Sequence, residues 1–361
     1  MSVEIIGMIG VQREGTGTKG TEVHVIGGGI DPDYIVQFAR AHEESGFDKA
    51  LVGYTSTSAD GFAVAMHAAA HTKKLGYLIA HRAGFMAPTM AARHAATLDQ
   101  LTGGRIALHV ITGGSDEEQR RDGDWLDHDS RYRRTDEFMG VLRRVWTETV
   151  PFDYEGEFYH LEQTNSQVRT RQKPHIPLYF GGASDAAKEV GAKRADVYAL
   201  WGEPLAAIKE QIADIQARAA RYNRTVKFSV SVRPILGDTE GEAWERAQGI
   251  LERVKGSVGE AVGPSRPARL QSVGSKRLLD FAAKGELHDQ RLWMPIAAAT
   301  GAAGSTTALV GTAEQVADSL LAYYDAGCTT VLIRGFDPLQ DTSEYGKELI
   351  PMLRDEAAKR G

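Results

Sequence analysis

The chain has 361 residues, a quarter of them charged and 42% hydrophobic, with a net charge of −6. That length admits two ordinary domains or one large α/β barrel, and the acidic balance excludes a nucleic-acid surface, which needs clustered Lys and Arg. A single cysteine, Cys328, excludes a disulfide framework, and no apolar run is long enough to span a bilayer, so a cytoplasmic chain without membrane association is expected.

Strand-like apolar runs alternate with longer amphipathic stretches along the whole chain. EIIGMIG (4–10) predicts the first strand and PDYIVQFARAHEES (32–45) the helix after it. ALVGY (50–54) and GYLIAH (76–81) follow as strands, PTMAARHAATLDQL (88–101) as a helix, and RIALHVIT (105–112) as the fourth strand. Asp127 and Asp129 suit the start of a helix, where the dipole favours acids, and they place His128 and Tyr132 four residues apart on one face. VPFDYEGEFYHLEQ, within an insertion at about 150–176, reads as a small hairpin turning at Glu155-Gly156. PLYFGG (177–182), DVYALWG (196–202) and FSVSVRPIL (228–236) continue the strands. A second insertion, at about 238–310, holds two helices and the small-residue tract AAATGAAGSTTA (297–308), a candidate lid. A helix (313–326) and TTVLIRGF (329–336) complete the series, with Cys328 read as a buried structural thiol. Eight strand–helix alternations predict an α/β chain folded as one closed (β/α)8 TIM barrel over residues 1–361.

In such a barrel the site forms from the loops after the strands. None of the eleven histidines forms a His-x-His pair, and HAAAH (67–71) lacks the glutamate of a zincin motif, so no metal is expected. No G-x-S-x-G occurs, which argues against a serine hydrolase. The fifth strand runs into GGASDAA, which is not G-x-G-x-x-G and so not a dinucleotide fingerprint. Paired glycines and a serine at a helix start suit one terminal monophosphate, and a tight turn with a Ser/Asp cap leaves the same trace.

Taken together, PTMAARHAATLDQLTGGRIALHVITGG (88–114), GDWLDHDSRYRRTDEF (123–138), YFGGASDAA (179–187), DVYALWGEP (196–204) and TALVGTAEQVADSL (307–320) resemble the luciferase-like flavin-dependent monooxygenases, in particular the alkanesulfonate monooxygenase branch. The resemblance implies reduced FMN supplied by a separate NAD(P)H-dependent flavin reductase, O2 and a small organic substrate, with a homodimer or homotetramer as the usual assembly. It implies a cofactor seat of Gly182, Ala183 and Ser184, approached by His128 and Tyr132, with His109 and Ser58 beside the flavin. Acid–base or hydrogen-bonding roles fall to His81 and His109, and Arg233 is expected to orient the substrate's negative group. Met8, Trp201, Arg334 and Phe336 are the further substrate-binding candidates. At the Ala80-His81 region the family commonly has a non-prolyl cis peptide. The sulfonate set is largely replaced: Ser58 stands for a cysteine, Ser231 and Arg233 for an Arg/His pair, and Phe336 for a tyrosine. Substrate identity is therefore open. The same family includes enzymes using the deazaflavin F420 for hydride transfer, and a non-catalytic flavin-binding protein is a further alternative.

Overall fold

A computed structural model describes residues 3–12, 29–261, 272–302 and 304–360. In chain order it begins with β1 (Glu4–Ile9), α1 (Pro32–Glu44), β2 (Lys49–Val52), α2 (Gly61–Ala69), β3 (Gly76–Arg82), α3 (Pro88–Leu101) and β4 (Ile106–Ile111). Next come α4 (Asp116–Arg121), α5 (His128–Thr147), β5 (Phe152–Glu155), β6 (His160–Thr164), β7 (Leu178–Gly181), α6 (Asp185–Arg194), β8 (Val197–Trp201), α7 (Leu205–Ala220) and β9 (Lys227–Leu236). The last part holds α8 (Glu240–Ala261), α9 (Val273–Lys284), β10 (Leu287–His288), β11 (Leu292–Trp293), α10 (Pro295–Ala299), β12 (Ala308–Gly311), α11 (Ala313–Asp325), β13 (Thr330–Ile333), α12 (Pro338–Lys347) and α13 (Leu349–Arg360).

Eight parallel strands close the barrel in the order β1, β2, β3, β4, β7, β8, β9, β13, with β13 pairing back onto β1. These are the eight runs picked out by alternation. Side chains on opposite faces of each strand serve two cores. Ile6, Leu78, Ala107, Tyr179 and Val197 pack together in one cluster, while Ile5, Ile9, Ile79 and Leu108 join the large cluster shared with the helices. Local signals set the helix ends: Asp31 caps α1 ahead of Pro32, and Thr312 with Gln315 forms a capping box on α11. Cys328 is fully buried, which pushes its thiol up to about 12.

β5 and β6 form the antiparallel hairpin, with Glu155 paired to His160. The second insertion adds a small antiparallel extension instead of a separate sheet. β9 is ten residues long; Ser229–Val232 pair with β13, and the next four residues pair with β12, which continues through β11 to β10. The 297–308 tract, apart from residue 303, which lies outside the described residues, supplies the end of α10 and the approach to β12, with Thr306 and Thr307 fully buried. Residues 262–271 of the same insertion also lie outside the described residues. Among the described residues the one cis peptide is Lys173-Pro174. The family expectation at Ala80-His81 is thus corrected: there the β3–β4 ladder runs on without interruption through Arg82 paired with Ile111.

Candidate functional site at the strand ends

A cavity of about 440 Å³ opens at the C-terminal ends of the strands, within the usual range for a small-molecule site. The strand ends supply Tyr54, Arg82, His109, Gly181 and Trp201 to its walls. Gly304, before β12, and Ser272 and Gly274, at the start of α9, complete it.

At one end lies the glycine turn. Gly182 has φ +154, and a Cβ there would stand 2.6 Å from the Ala187 methyl and 3.3 Å from the Tyr132 hydroxyl. A Cβ on Gly181 would stand 2.6 Å from the carbonyl of Ala199. Bare backbone is therefore obligatory here, and it leaves an approach for a ligand oxygen. Ser184 caps α6, its Oγ accepting from the Ala187 N–H at 3.2 Å, and it also hydrogen-bonds Tyr132. The helix-cap reading of this stretch is thus seen in the structure, and Gly181, Gly182 and Ala183, just ahead of the capping serine, line the cavity. Burial raises the Tyr132 phenol above its ordinary value, which keeps it a neutral donor. His128 is the first residue of α5, its ring centroid 4.8 Å from that of Tyr132 and tilted to it by 56°, with Nδ1 2.7 Å from Asp129.

His109, on β4, also lines the cavity. Its Nδ1 is buried without a hydrogen-bond partner, and burial lowers the ring to about 4, so it is neutral at physiological pH. His81 is lowered to about 4 for the same reason, but it is placed differently. It packs against Phe62 and Phe138 at 5.4 and 5.6 Å and does not line the cavity. Ser58 turns back on its own loop, its hydroxyl donating to the Thr55 carbonyl.

The substrate candidates divide as well. Trp201 is on the wall, where the start of α9 packs so closely that a Cβ on Gly274 would stand 3.0 Å from its ring. Arg233, Arg334, Met8 and Phe336 lie outside the lining. Arg233 is fully buried at the point where β9 changes partner. Its guanidinium donates to the carbonyls of Ser305 and Gly335 at 3.3 and 3.2 Å and stands 4.6 Å over the Phe336 ring. Burial, with the neighbouring Arg334 charge, pushes its pKa well down. Arg334 also donates to Ser305, at 3.2 Å, and to the Met8 sulfur at 2.8 Å. Two guanidiniums thus converge on one carbonyl and tie the 297–308 tract to the barrel.

Other groups on the wall are not among the candidates read from the sequence. Arg82, with its side chain 2% exposed, donates to Glu118 at 2.8 Å, lies 3.5 Å from Asp122 and sits 4.7 Å over the Tyr54 ring. Glu203, nearly buried, takes a two-pronged bond from Arg277 of α9 at 2.8 and 2.5 Å. Arg82 and Glu203 both stand at strand ends; Glu203 also falls within DVYALWGEP, whereas Arg82 is marked by position alone. Their partners Glu118 and Arg277 are 36 and 74 residues away in sequence, and no local pattern points to them.

Among the described residues no helix is long and apolar enough to cross a membrane, and no group of three or more His, Cys, Asp or Glu is placed to hold a metal. The chain is similar in fold to a riboflavin lyase (RcaE) solved with modified FMN and riboflavin, at 20% identity and TM-score 0.79, covering 99% of this chain and 92% of that one. It is also similar to EDTA monooxygenase (EmoA) from Chelativorans sp. BNC1, at 17% identity and TM-score 0.75, over 99% of this chain and 95% of that one. An F420-dependent secondary alcohol dehydrogenase solved with an F420–acetone adduct matches at 18% identity and TM-score 0.68, over 98% of this chain and all of that one (100%). The family model described as luciferase-like monooxygenase matches residues 7–330, and with the closed eight-stranded barrel and the cavity at its strand ends it shows that the chain belongs to the luciferase-like monooxygenase family.

Proposed function

We propose that the protein is an FMN-dependent monooxygenase of a two-component system. It takes reduced FMN from a separate NAD(P)H-dependent reductase and uses O2 to oxygenate a small organic substrate, with organosulfur compounds, alkanesulfonates included, as the first class to test. The observation that carries this reading is the continuity of the glycine turn, Tyr132 and His109 around one cavity. The residues present fit the cofactor: Gly182 offers a cradle that a Cβ would fill, and His109 lines the same cavity. Reduced flavin, when bound, supplies the electrons and the place where oxygen is activated.

The chain's own residues do the rest. The backbone N–H groups of Gly182 and Ala183, the start of α6, Ser184 and Tyr132 hold the phosphate, with His128 at its outer side. His109, neutral at working pH, stands on the cavity wall beside the flavin, where an imidazole can share a hydrogen bond with the ring edge. Ile111, Leu200 and Trp201 exclude water from the reacting face. Tyr54, with Arg82 and Glu118 behind it, orients the substrate. Arg233 and Arg334 act at one remove, by holding the Ser305 segment in place.

The test supplies the purified protein anaerobically with photoreduced FMN, admits isotopically labelled O2 and screens sulfonates, sulfones, amines and hydrocarbons. A product carrying one labelled oxygen is expected. Failure to bind FMN in either redox state would overturn the reading, as would oxygen-independent turnover with a deazaflavin.

A further inference from the structure

HAAAH (67–71) takes no part in the cavity. It places His67 in the last turn of α2 and His71 just past the end of that helix, and neither ring lines the site. The turn continues beyond the helix, the His71 N–H donating to the Ala68 carbonyl at 3.1 Å, so both rings stay on one face. His67 is half-buried and His71 exposed. Their ring centroids lie 5.0 Å apart, with the planes tilted by 58°. Metal–nitrogen bonds of about 2.0–2.1 Å would put the centroids of two cis imidazoles on one cation about 4.5–5.3 Å apart, so the observed spacing fits a shared ion. Hydrogen bonds also set the tautomers. His71 Nδ1 stands 2.9 Å from the His67 carbonyl, and His67 Nε2 stands 3.2 Å from the Pro32 carbonyl at the start of α1. A carbonyl only accepts, so each of these nitrogens carries the hydrogen and the other nitrogen of each ring keeps its lone pair. Imidazoles that bind metals are held in this way, with the second nitrogen donating to a backbone carbonyl or another acceptor.

We propose that His67 and His71 form a two-imidazole site for a late first-row divalent cation, Cu2+ most tightly, with Ni2+ and Zn2+ behind it. The glutamate that HAAAH lacks is the general base of a hydrolytic centre, and a chelate needs none. The rings rotate about their exposed side-chain bonds to share the ion, and water completes its coordination. The C-terminal end of α2 favours a positive charge. Against it, Arg40 donates to the His71 carbonyl at 3.4 Å, and Arg105 donates to the carbonyls of Ala69 and Thr72 at 3.0 and 3.3 Å. With two ligands and two guanidiniums nearby, binding is expected to be weaker than at a three- or four-ligand site. Hard cations such as Mg2+, which prefer oxygen, are not held. A bound ion joins residues one turn apart and so staples the end of α2 against fraying. The site is independent of the flavin reading of the cavity.

The test is calorimetric titration of the untagged full chain with Cu2+, Ni2+, Zn2+ and Mg2+. It is repeated on His67→Gln, His71→Gln and the double variant, with His160→Ala, an exposed histidine beside Glu155, as the control. Cu2+ is expected to bind most tightly and Mg2+ not at all. In a chelate either single substitution removes most of the affinity. Cu2+ affinity should therefore fall at least tenfold in each single variant, fall little further in the double variant, and stay unchanged in His160→Ala. Electron paramagnetic resonance of the unsubstituted chain with Cu2+ should show coupling to two imidazoles, a readout that does not depend on any variant folding. Cu2+ binding that survives in the double variant would overturn the site. So would an equal loss in His160→Ala, equally tight binding of Mg2+, or a Cu2+ spectrum without a second imidazole.

Discussion

Gly182 and Arg233 show how differently a residue's role can be encoded. The glycine belongs to a local device, a strand, a turn and a capped helix within ten residues, so the sequence around it states its purpose. Gly182→Ala is expected to push the start of α6 away from Tyr132 and to weaken FMN binding at least tenfold, measured by fluorescence quenching, because the new methyl meets Ala187 at 2.6 Å. Tyr132→Phe removes the hydroxyl that bonds Ser184 and should cost about 0.5–1.5 kcal/mol of FMN affinity. The partners of Arg233 lie 72 and 102 residues away, and a strand-end arginine in a barrel reads from sequence as a substrate group. Its burial gives Arg233→Ala a different expected signature: a loss of roughly 3 kcal/mol in urea denaturation, since the Gly335 carbonyl and a packed ring lose their partner and the Ser305 carbonyl keeps only Arg334. A normal stability with only a raised KM would return Arg233 to the substrate.

Among the elements, the eight barrel strands were legible because each is an apolar run bounded by turn residues, and the hairpin because Glu155-Gly156 marks its turn. The β10–β12 extension was not. β10 and β11 are two residues long, too short to carry any periodicity, and β12 follows a tract whose alanines and glycines suggest looseness. In the structure that tract is anchored at Ser305, whose carbonyl takes donors from Arg233 and Arg334. α9 is held over the cavity mouth by Arg277 on Glu203, a pair with one partner nearly buried. Arg277→Met should cost about 2–4 kcal/mol by leaving that carboxylate without its cation, and should speed amide exchange in α9. The double variant Arg277→Met/Glu203→Gln should recover part of the loss, and simple additivity of the two single variants would show that the pair is not coupled.

For the molecule as a whole, burial of imidazoles sets a limit on acid tolerance. His42, His81 and His109 are each lowered from 6.5 to about 4 by burial. Between those values the unfolded chain binds protons that the folded chain refuses, so stability falls as pH drops from 6.5 toward 4. Asp341, lifted to about 6 by burial, works in the opposite sense and offsets one of the three. The expected slope is about 1.4 kcal/mol per pH unit for each histidine left uncompensated, read from urea midpoints at successive pH values. A flat profile over that range would show that the buried rings can take up protons in the folded state. The closed barrel was legible at this scale because strand–helix alternation repeats eight times; which rings and arginines are sealed inside it depends on contacts between distant segments.

The change of partner along β9 also limits how the protein can be shortened. Removing the segment between β9 and α11 would look, on a sequence map, like trimming a surface insertion. It would take β12 away from the last four residues of β9, Arg233 to Leu236, and leave their backbone edge without a neighbour. A bare edge of that kind recruits strands from other molecules. A minimal version of this barrel would therefore be prone to self-association, and any transplant of the insertion between relatives must carry the second half of β9 with it.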